Sequence, residues 1–205
     1  MRVAIYAPGA PPDGDVVVIP PALSGGPTAE ALDALRGFAR AGGRLLGLGD
    51  GAAWLCAAAL LPGGVTTAPP HAASHVRVEG RATAFTWAIP AGRILGLAAP
   101  APPTAGFVAH EAEIAALESR GQIVLRYCDA AGGVDHRRGR AATVAGLSDE
   151  TGRVLGLLAP STSGLDDGLG RQILACLRAR APRVAAGESS PDPSRAAGAP
   201  RASPP

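Results

Sequence analysis

The sequence predicts an α/β fold, with a mostly parallel central sheet and flanking helices, on the strength of three observations. Short β-branched apolar runs at residues 3–6 and Val16–Ile19 are bounded by Pro and Gly, as is typical of strands buried on both faces. Residues 28–41 then carry apolar side chains at helical spacing. A third apolar run, Arg44–Leu48, breaks on glycines into another helical segment at 52–60. This alternation of strands and helices is characteristic of a parallel sheet.

The first helix has clear end signals. Thr28 stands where an N-cap is expected, Glu30 follows in the first turn, and Gly42 and Gly43 come at the end. By contrast, only about nine residues join the first two apolar runs, whereas a parallel crossover that contains a helix needs a dozen or more. We therefore predict that a plain loop joins these strands and that the sheet is trimmed near the N-terminus.

The remaining chain adds an antiparallel portion and a closing helix. Polar residues 148–152 separate two apolar runs and predict a hairpin turn. The predicted strands are 75–78, 84–87, 93–97, 122–127, 142–147 and 153–158, and the predicted helices are 111–119 and 168–180. We expect a single domain over residues 1–181. Residues 182–205 are rich in Pro, Ser, Ala, Gly and Arg without periodicity and are expected to be a disordered tail.

Composition excludes several functional classes. A net charge of +2 is too small to favour a nucleic-acid partner or a membrane surface, and no apolar run is long enough to cross a bilayer. Arg137, Arg138 and Arg140 are interpreted as a solvated loop. The 3 cysteines are widely spaced, which argues against a disulfide framework or a zinc site and favours a cytoplasmic protein.

The segment from Gly47 to Gly51, with the sequence Gly-Leu-Gly-Asp-Gly, has the frame of a nucleophile elbow. Such an elbow holds its middle residue in a strained conformation between a strand and a helix, so that its side chain stands exposed. Here the middle residue is Gly49, which has no side chain. A glycine turn at a helix N-terminus can also hold an anion, so Gly47, Asp50 and Gly51 form a candidate binding site. Asp50 is also interpreted as a residue that stabilises the turn.

Several segments, in fixed order, resemble one family. Three segments carry the resemblance: the elbow with the helix that ends in Leu-Leu-Pro-Gly at residues 60–63, the run Gln-Ile-Val-Leu-Arg-Tyr at 122–127, and the hairpin around 148–152. They are similar to segments of the class I glutamine amidotransferase (PurQ-type) subunit of phosphoribosylformylglycinamidine synthase. The resemblance covers most of residues 15–180. It implies a flavodoxin-like sandwich, a role in purine biosynthesis, a synthetase subunit as partner, and no cofactor.

In that family a Cys thiolate attacks glutamine, a His acts as acid and base, and a Glu orients the His. The resemblance places these three roles at Gly49, Pro160 and Thr162, none of which can carry them. The glycine pair that helps to form the family's oxyanion pocket is matched by Pro20 and Pro21, and proline has no N–H to donate. The family's Ala-His-Gly-Glu-Gly segment is matched by residues 100–104, Pro-Ala-Pro-Pro-Thr.

No other residues in the sequence form a replacement triad. The cysteines are Cys56, Cys128 and Cys176, and the histidines are His71, His75, His110 and His136. Structural burial is the favoured role for each thiol, and no local spacing forces a His against a Cys or a carboxylate. A metal site that uses His71 and His75 with distant carboxylates is a disfavoured alternative, and we predict no metal.

Three hypotheses follow. The leading one is a PurQ-like subunit that kept the scaffold, lost glutaminase chemistry and acts as a non-catalytic partner of a synthetase. The second is a binding module that holds a small metabolite in the vacated pocket beside the elbow. The third is an active glutaminase subunit whose chemistry is not recognisable in the sequence.

Overall fold

The computed structural model describes residues 1–21, 23, 25–66, 75–80, 83–97, 106–137, 139–158 and 168–179. In these ranges the strands are β1 (Val3–Ile5), β2 (Val16–Ile19), β3 (Arg44–Leu48), β4 (Gly64–Thr66), β5 (His75–Val78), β6 (Ile94–Gly96), β7 (Gly106–Val108), β8 (Ile123–Cys128), β9 (Val144–Ser148) and β10 (Val154–Leu157). The helices are α1 (Ala29–Arg40), α2 (Asp50–Ala57), α3 (Glu111–Ser119) and α4 (Gly168–Arg178), with a 3-10 turn at Ala141–Thr143.

The sheet has eight strands in the order β1-β2-β3-β10-β9-β8-β5-β6. Strands β1, β2, β3 and β10 are parallel neighbours, and each of the other neighbouring pairs is antiparallel. Strands β4 and β7, which the sequence did not predict, form a separate antiparallel pair. The predicted α/β sheet with an added antiparallel portion is confirmed.

Two apolar clusters, one on each face of the sheet, form the core. On one face α1, α2 and α3 cover the sheet, with Leu35, Leu55 and Ile114 fully buried. On the other face α4 packs through Leu169 and Ile173. This three-layer arrangement agrees with the flanking helices that the alternation predicted and with the flavodoxin-like sandwich that the resemblance implies.

Helix α1 confirms its predicted bounds and cap. The Thr28 hydroxyl accepts a hydrogen bond from the Ala31 N–H at 3.3 Å, which satisfies one of the unpaired donors at the helix start. The hairpin between β9 and β10 is also confirmed. Its turn is held by the Asp149 carboxylate, which accepts hydrogen bonds from the N–H groups of Arg153 at 2.9 Å and Val154 at 2.8 Å.

The first strand lies at the edge of the sheet, which corrects the prediction that it is buried on both faces. Val3 is 40% exposed and Ile5 is 76% exposed, whereas all four residues of β2 are buried. Apolar character identified the strand but did not reveal its position, because an edge strand has a neighbour on one side only. The prediction of a plain connection is confirmed, since residues 6–15 contain neither a helix nor a strand.

Residues 84–87 form turns, so the predicted strand there is wrong. The Thr83 hydroxyl accepts hydrogen bonds from the N–H groups of Phe85 at 3.2 Å and Thr86 at 3.1 Å, and such local bonds compete with a sheet ladder. The Trp87 indole N–H donates to the Cys176 carbonyl at 3.0 Å and ties this segment to α4. Helix α2 also begins two residues earlier than predicted.

A charged network joins α3 to β8 and to the segment before β9. The Arg126 guanidinium, whose side chain is only 6% exposed, pairs with Glu118 and donates to the Thr143 hydroxyl and, at 3.3 Å, to the Arg140 carbonyl. Arg140 pairs with the same Glu118 carboxylate. Arg137 is 89% exposed and pairs with Asp135. The loop that was predicted to be solvated is therefore anchored at Arg140 and exposed to solvent at Arg137.

Within the described ranges, no helix combines the length and the apolar composition that crossing a membrane would require.

Candidate functional site

The glycine elbow lies at the carboxyl end of β3, in the parallel part of the sheet between β2 and β10. Gly49 joins β3 to α2 with φ 52° and ψ −115°. This positive φ is readily adopted by glycine and strained for other residues. The backbone therefore has the sharp strand-to-helix turn that the sequence predicted, and glycine occupies its strained position.

Hydrogen bonds hold the elbow in place. The Gly49 N–H donates to the Leu157 carbonyl at 2.8 Å, and the Gly49 carbonyl accepts from the Ala52 N–H at 2.9 Å. The first bond ties the end of β3 to the end of β10. Gly49 is buried and offers neither a thiol nor a hydroxyl, so the elbow has the geometry of a nucleophile site without a nucleophile.

Gly47 and Gly51 have a packing role. A Cβ at Gly51 would lie 2.3 Å from the Ile19 carbonyl oxygen, and one at Gly47 would lie 2.6 Å from the Gly51 carbonyl oxygen. Their lack of side chains therefore brings α2 directly against β2 and β3. Asp50 is exposed in the first turn of α2, where the helix dipole favours a carboxylate. Binding of a ligand by Gly47, Asp50 and Gly51 stays a prediction.

Pro20 and Pro21 follow β2 and flank the elbow. Gly51 packs against the Ile19 carbonyl, so the residues that follow Ile19 start beside the first turn of α2. An amide N–H here could donate to a developing oxyanion, but neither proline carries one. The donor group expected near an acyl-transfer site is therefore missing at both positions.

Cys56 is the cysteine nearest to the elbow along the chain. It lies seven residues beyond Gly49, which corresponds to about 10 Å of helix rise. Its thiol is half-buried, 3.9 Å from the Pro62 carbonyl oxygen, and burial raises its pKa to about 11. A thiol with this pKa is almost wholly protonated at neutral pH, so Cys56 is not an activated nucleophile.

Cys128 and His75 are brought together by a pairing that the sequence did not indicate. They are directly opposed residues of the antiparallel strands β8 and β5, so their side chains share one face of the sheet. The pair lies at the same edge as the elbow, but β10 and β9 separate β8 from β3, a distance of about 14 Å at ordinary strand spacing. Burial is the main cause that raises the pKa of the Cys128 thiol.

The other sulfur and imidazole groups lie elsewhere. Cys176 is buried on α4, and burial raises the pKa of its thiol. His110 and His136 are exposed, before α3 and in the arginine loop. Among the described residues, no group of three His, Cys, Asp or Glu side chains is arranged to hold a metal ion.

Some predicted positions lie outside the described residues. These are Pro160 and Thr162, His71, the segment at residues 100–104 and the C-terminal segment at residues 182–205.

The fold is an α/β sandwich with a strand–elbow–helix unit in its parallel sheet, and with the relatives named next it places the chain among class I glutamine amidotransferase-like proteins. No protein-family model matches the sequence. The chain is 32% identical over 176 residues to phosphoribosylformylglycinamidine synthase subunit PurQ of Bradyrhizobium diazoefficiens, which covers 78% of this chain and 75% of that protein. It is 34% identical over 165 residues to PurQ of Rhodopseudomonas palustris strain BisB18, which covers 72% of this chain and 70% of that protein.

Among solved structures, the chain is similar to that of PurLQS from Thermotoga maritima, with a TM-score of 0.59 and 20% sequence identity over 80% of this chain and 78% of that one. This likeness supports the fold. The chain belongs to the PurQ family.

Proposed function

We propose that this chain is a PurQ-type subunit that binds a synthetase subunit and does not hydrolyse glutamine. The single observation that carries the proposal is the glycine at the centre of the elbow. The family's reaction begins with a thiolate, because an amide carbon is a poor electrophile and an activated nucleophile divides its hydrolysis into two easier steps. Gly49 cannot supply that thiolate.

The surroundings of Gly49 support the same proposal. Pro20 and Pro21 remove N–H donors beside the elbow, and the resemblance places the family's His and Glu at Pro160 and Thr162. These are separate losses on different segments of the chain. A shift of one residue in the alignment would not restore the site, and restoring the thiol alone would leave it without a base or these donors.

The scaffold for a partner is retained, in contrast to the chemistry. The parallel strands, the elbow, α3 and the β9–β10 hairpin are all present, and they include the segments by which the sequence resembles the family. The relatives are subunits of phosphoribosylformylglycinamidine synthase by name. We infer that this chain assembles with a synthetase subunit of that enzyme, and that ammonia then reaches the synthetase from solution or from another subunit.

The test is to co-purify the full chain with the synthetase subunit from the same genome and to assay the complex with glutamine and with ammonium. We expect a stable complex that makes product with ammonium and releases no glutamate from glutamine. Failure to co-purify would overturn the partnership, and glutamate release would overturn the loss of chemistry.

Cys128→Ala supplies a control for the third hypothesis, because it removes the thiol that lies opposite His75. Any glutamate release that Cys128→Ala abolishes would identify an active glutaminase with a displaced nucleophile. For the binding-module hypothesis, thermal unfolding is compared with and without glutamine or inorganic phosphate. A ligand of the folded state raises the midpoint, whereas the scaffold proposal expects no shift.

A further inference from the structure

Strand β1 presents an open edge of the main sheet. In the described part of the chain it pairs with β2 alone and ends the strand order. Its side chains at Val3 and Ile5 are 40% and 76% exposed, and both are β-branched and apolar. Natural edge strands are usually protected by charges, prolines or bulges, and the three residues of β1 carry none of these.

The backbone groups of Val3 and Ile5 point away from the sheet. The Arg2 carbonyl accepts from the Val16 N–H at 3.2 Å, and the Tyr6 N–H donates to the Val18 carbonyl at 2.8 Å. Residues 2, 4 and 6 therefore turn their backbone groups toward β2. Because these groups alternate along a strand, the N–H and C=O of Val3 and Ile5 face the open edge.

This edge is complementary to itself. A two-fold axis at Ala4 places Val3 of one copy opposite Ile5 of the other, so that each such pair exchanges two backbone hydrogen bonds. The exposed Val3 and Ile5 side chains then become cross-strand neighbours on one face, an arrangement that stabilises antiparallel pairs.

Charge selects the antiparallel direction. In that register Arg2 lies opposite Tyr6 of the second copy, and the two arginines are offset by four residues, or about 13 Å. A parallel pairing in register would place Arg2 against Arg2, which is unfavourable.

We propose that β1 is an association surface for a second copy of this chain, which pairs with it antiparallel about Ala4 and continues the sheet across a two-fold axis. The proposal does not depend on the proposed function. Three-residue strands bury less surface than the ~1,200 Å² of a stable interface, so we expect a reversible dimer with a dissociation constant above about 1 μM.

Sedimentation equilibrium of the full chain over a range of about 1 μM to 1 mM tests this association. Wild type is expected to pass from monomer to dimer. Ile5→Lys places a charge on the paired edge and is expected to weaken association at least tenfold. Val108→Lys is the matched control, because Val108 is 51% exposed on the separate β4–β7 pair, and it should dimerise like wild type. A wild type that stays monomeric, an Ile5→Lys variant that dimerises normally, or an equal loss in both variants would overturn the proposal.

Hydrogen exchange on wild type supplies a test that needs no variant. The amides of Val3 and Ile5 face the open edge, whereas the Ala4 amide faces β2. Val3 and Ile5 are therefore expected to exchange more slowly as protein concentration rises, while Ala4 exchanges at one rate throughout. If the exchange rates of the Val3 and Ile5 amides do not change with protein concentration, the pairing is refuted, even if the chain dimerises through another surface.

Discussion

Replacing Gly49 by alanine tests whether the elbow backbone is strained for any residue with a side chain. At φ 52° and ψ −115° a Cβ is disfavoured, and residues in such regions cost about 1–3 kcal/mol. Alanine also lowers the conformational entropy of the unfolded chain, which offsets about 0.4–1 kcal/mol of this cost. We therefore expect Gly49→Ala to lower the free energy of unfolding by about 1–2 kcal/mol.

Gly37→Ala is the matched control. Gly37 lies in α1 and is exposed, and apart from its chain neighbours and the adjacent helix backbone no heavy atom lies within 4 Å of the position where a Cβ would stand. Alanine is favoured over glycine inside a helix, so this variant should gain about 0.5–1 kcal/mol. Urea titrations followed by circular dichroism measure both changes, provided that the m-values agree. If Gly49→Ala were as stable as Gly37→Ala, the strained elbow would not exist in solution.

Three further predictions concern a thiol, a buried charge and a helix cap. The pKa of Cys56 is raised from 9.0 to about 11, so at pH 8 its thiol should react with iodoacetamide about a hundredfold more slowly than in the urea-unfolded chain. The reaction should become faster as pH rises toward 11. Equal rates in the folded and unfolded chain, measured by peptide mass spectrometry, would contradict this. Glu118→Gln leaves the Arg126 guanidinium buried without its carboxylate and should cost about 3 kcal/mol. Glu150→Gln breaks only the exposed pair with Arg120 and should cost less than about 1 kcal/mol, so equal losses in urea would refute the distinction. Thr28→Ala removes the cap of α1 and should cost about 1 kcal/mol in the same assay, and an unchanged midpoint would exclude a capping role.

Local sequence patterns predicted the helices and turns whose ends are marked by capping or turn-forming residues. Helix α3 has the predicted bounds, Thr28 caps α1, and the polar turn at 148–152 joins two antiparallel strands. Strands β4 and β7 were missed because each has three residues and begins with glycine, which leaves only two residues to show an apolar run or an alternation. The exposure of Ile5 was also missed, because a strand's place in the sheet depends on pairings between distant segments.

The candidate site divides in the same way. The elbow could be predicted because glycines at 47, 49 and 51 interrupt an apolar run, and its positive φ agrees with that pattern. The position of Cys128 opposite His75 could not be predicted, since 52 residues separate them and the register of β5 against β8 creates the pairing. The packing role of Gly51 likewise depends on Ile19, which belongs to another strand.

The close packing of Gly51 against the Ile19 carbonyl has a consequence for protein engineering. Helix α2 lies so close to β2 that a side chain at residue 51 would collide with the Ile19 carbonyl, and the hydrogen bond from Gly49 to Leu157 ties the start of the same helix to β10. The chain segments that leave β2, β3 and β10 therefore start from one closely packed corner of the sheet. A protein engineer could graft loops after Ile19 and Leu158 onto this corner with little concern that the junctions would shift.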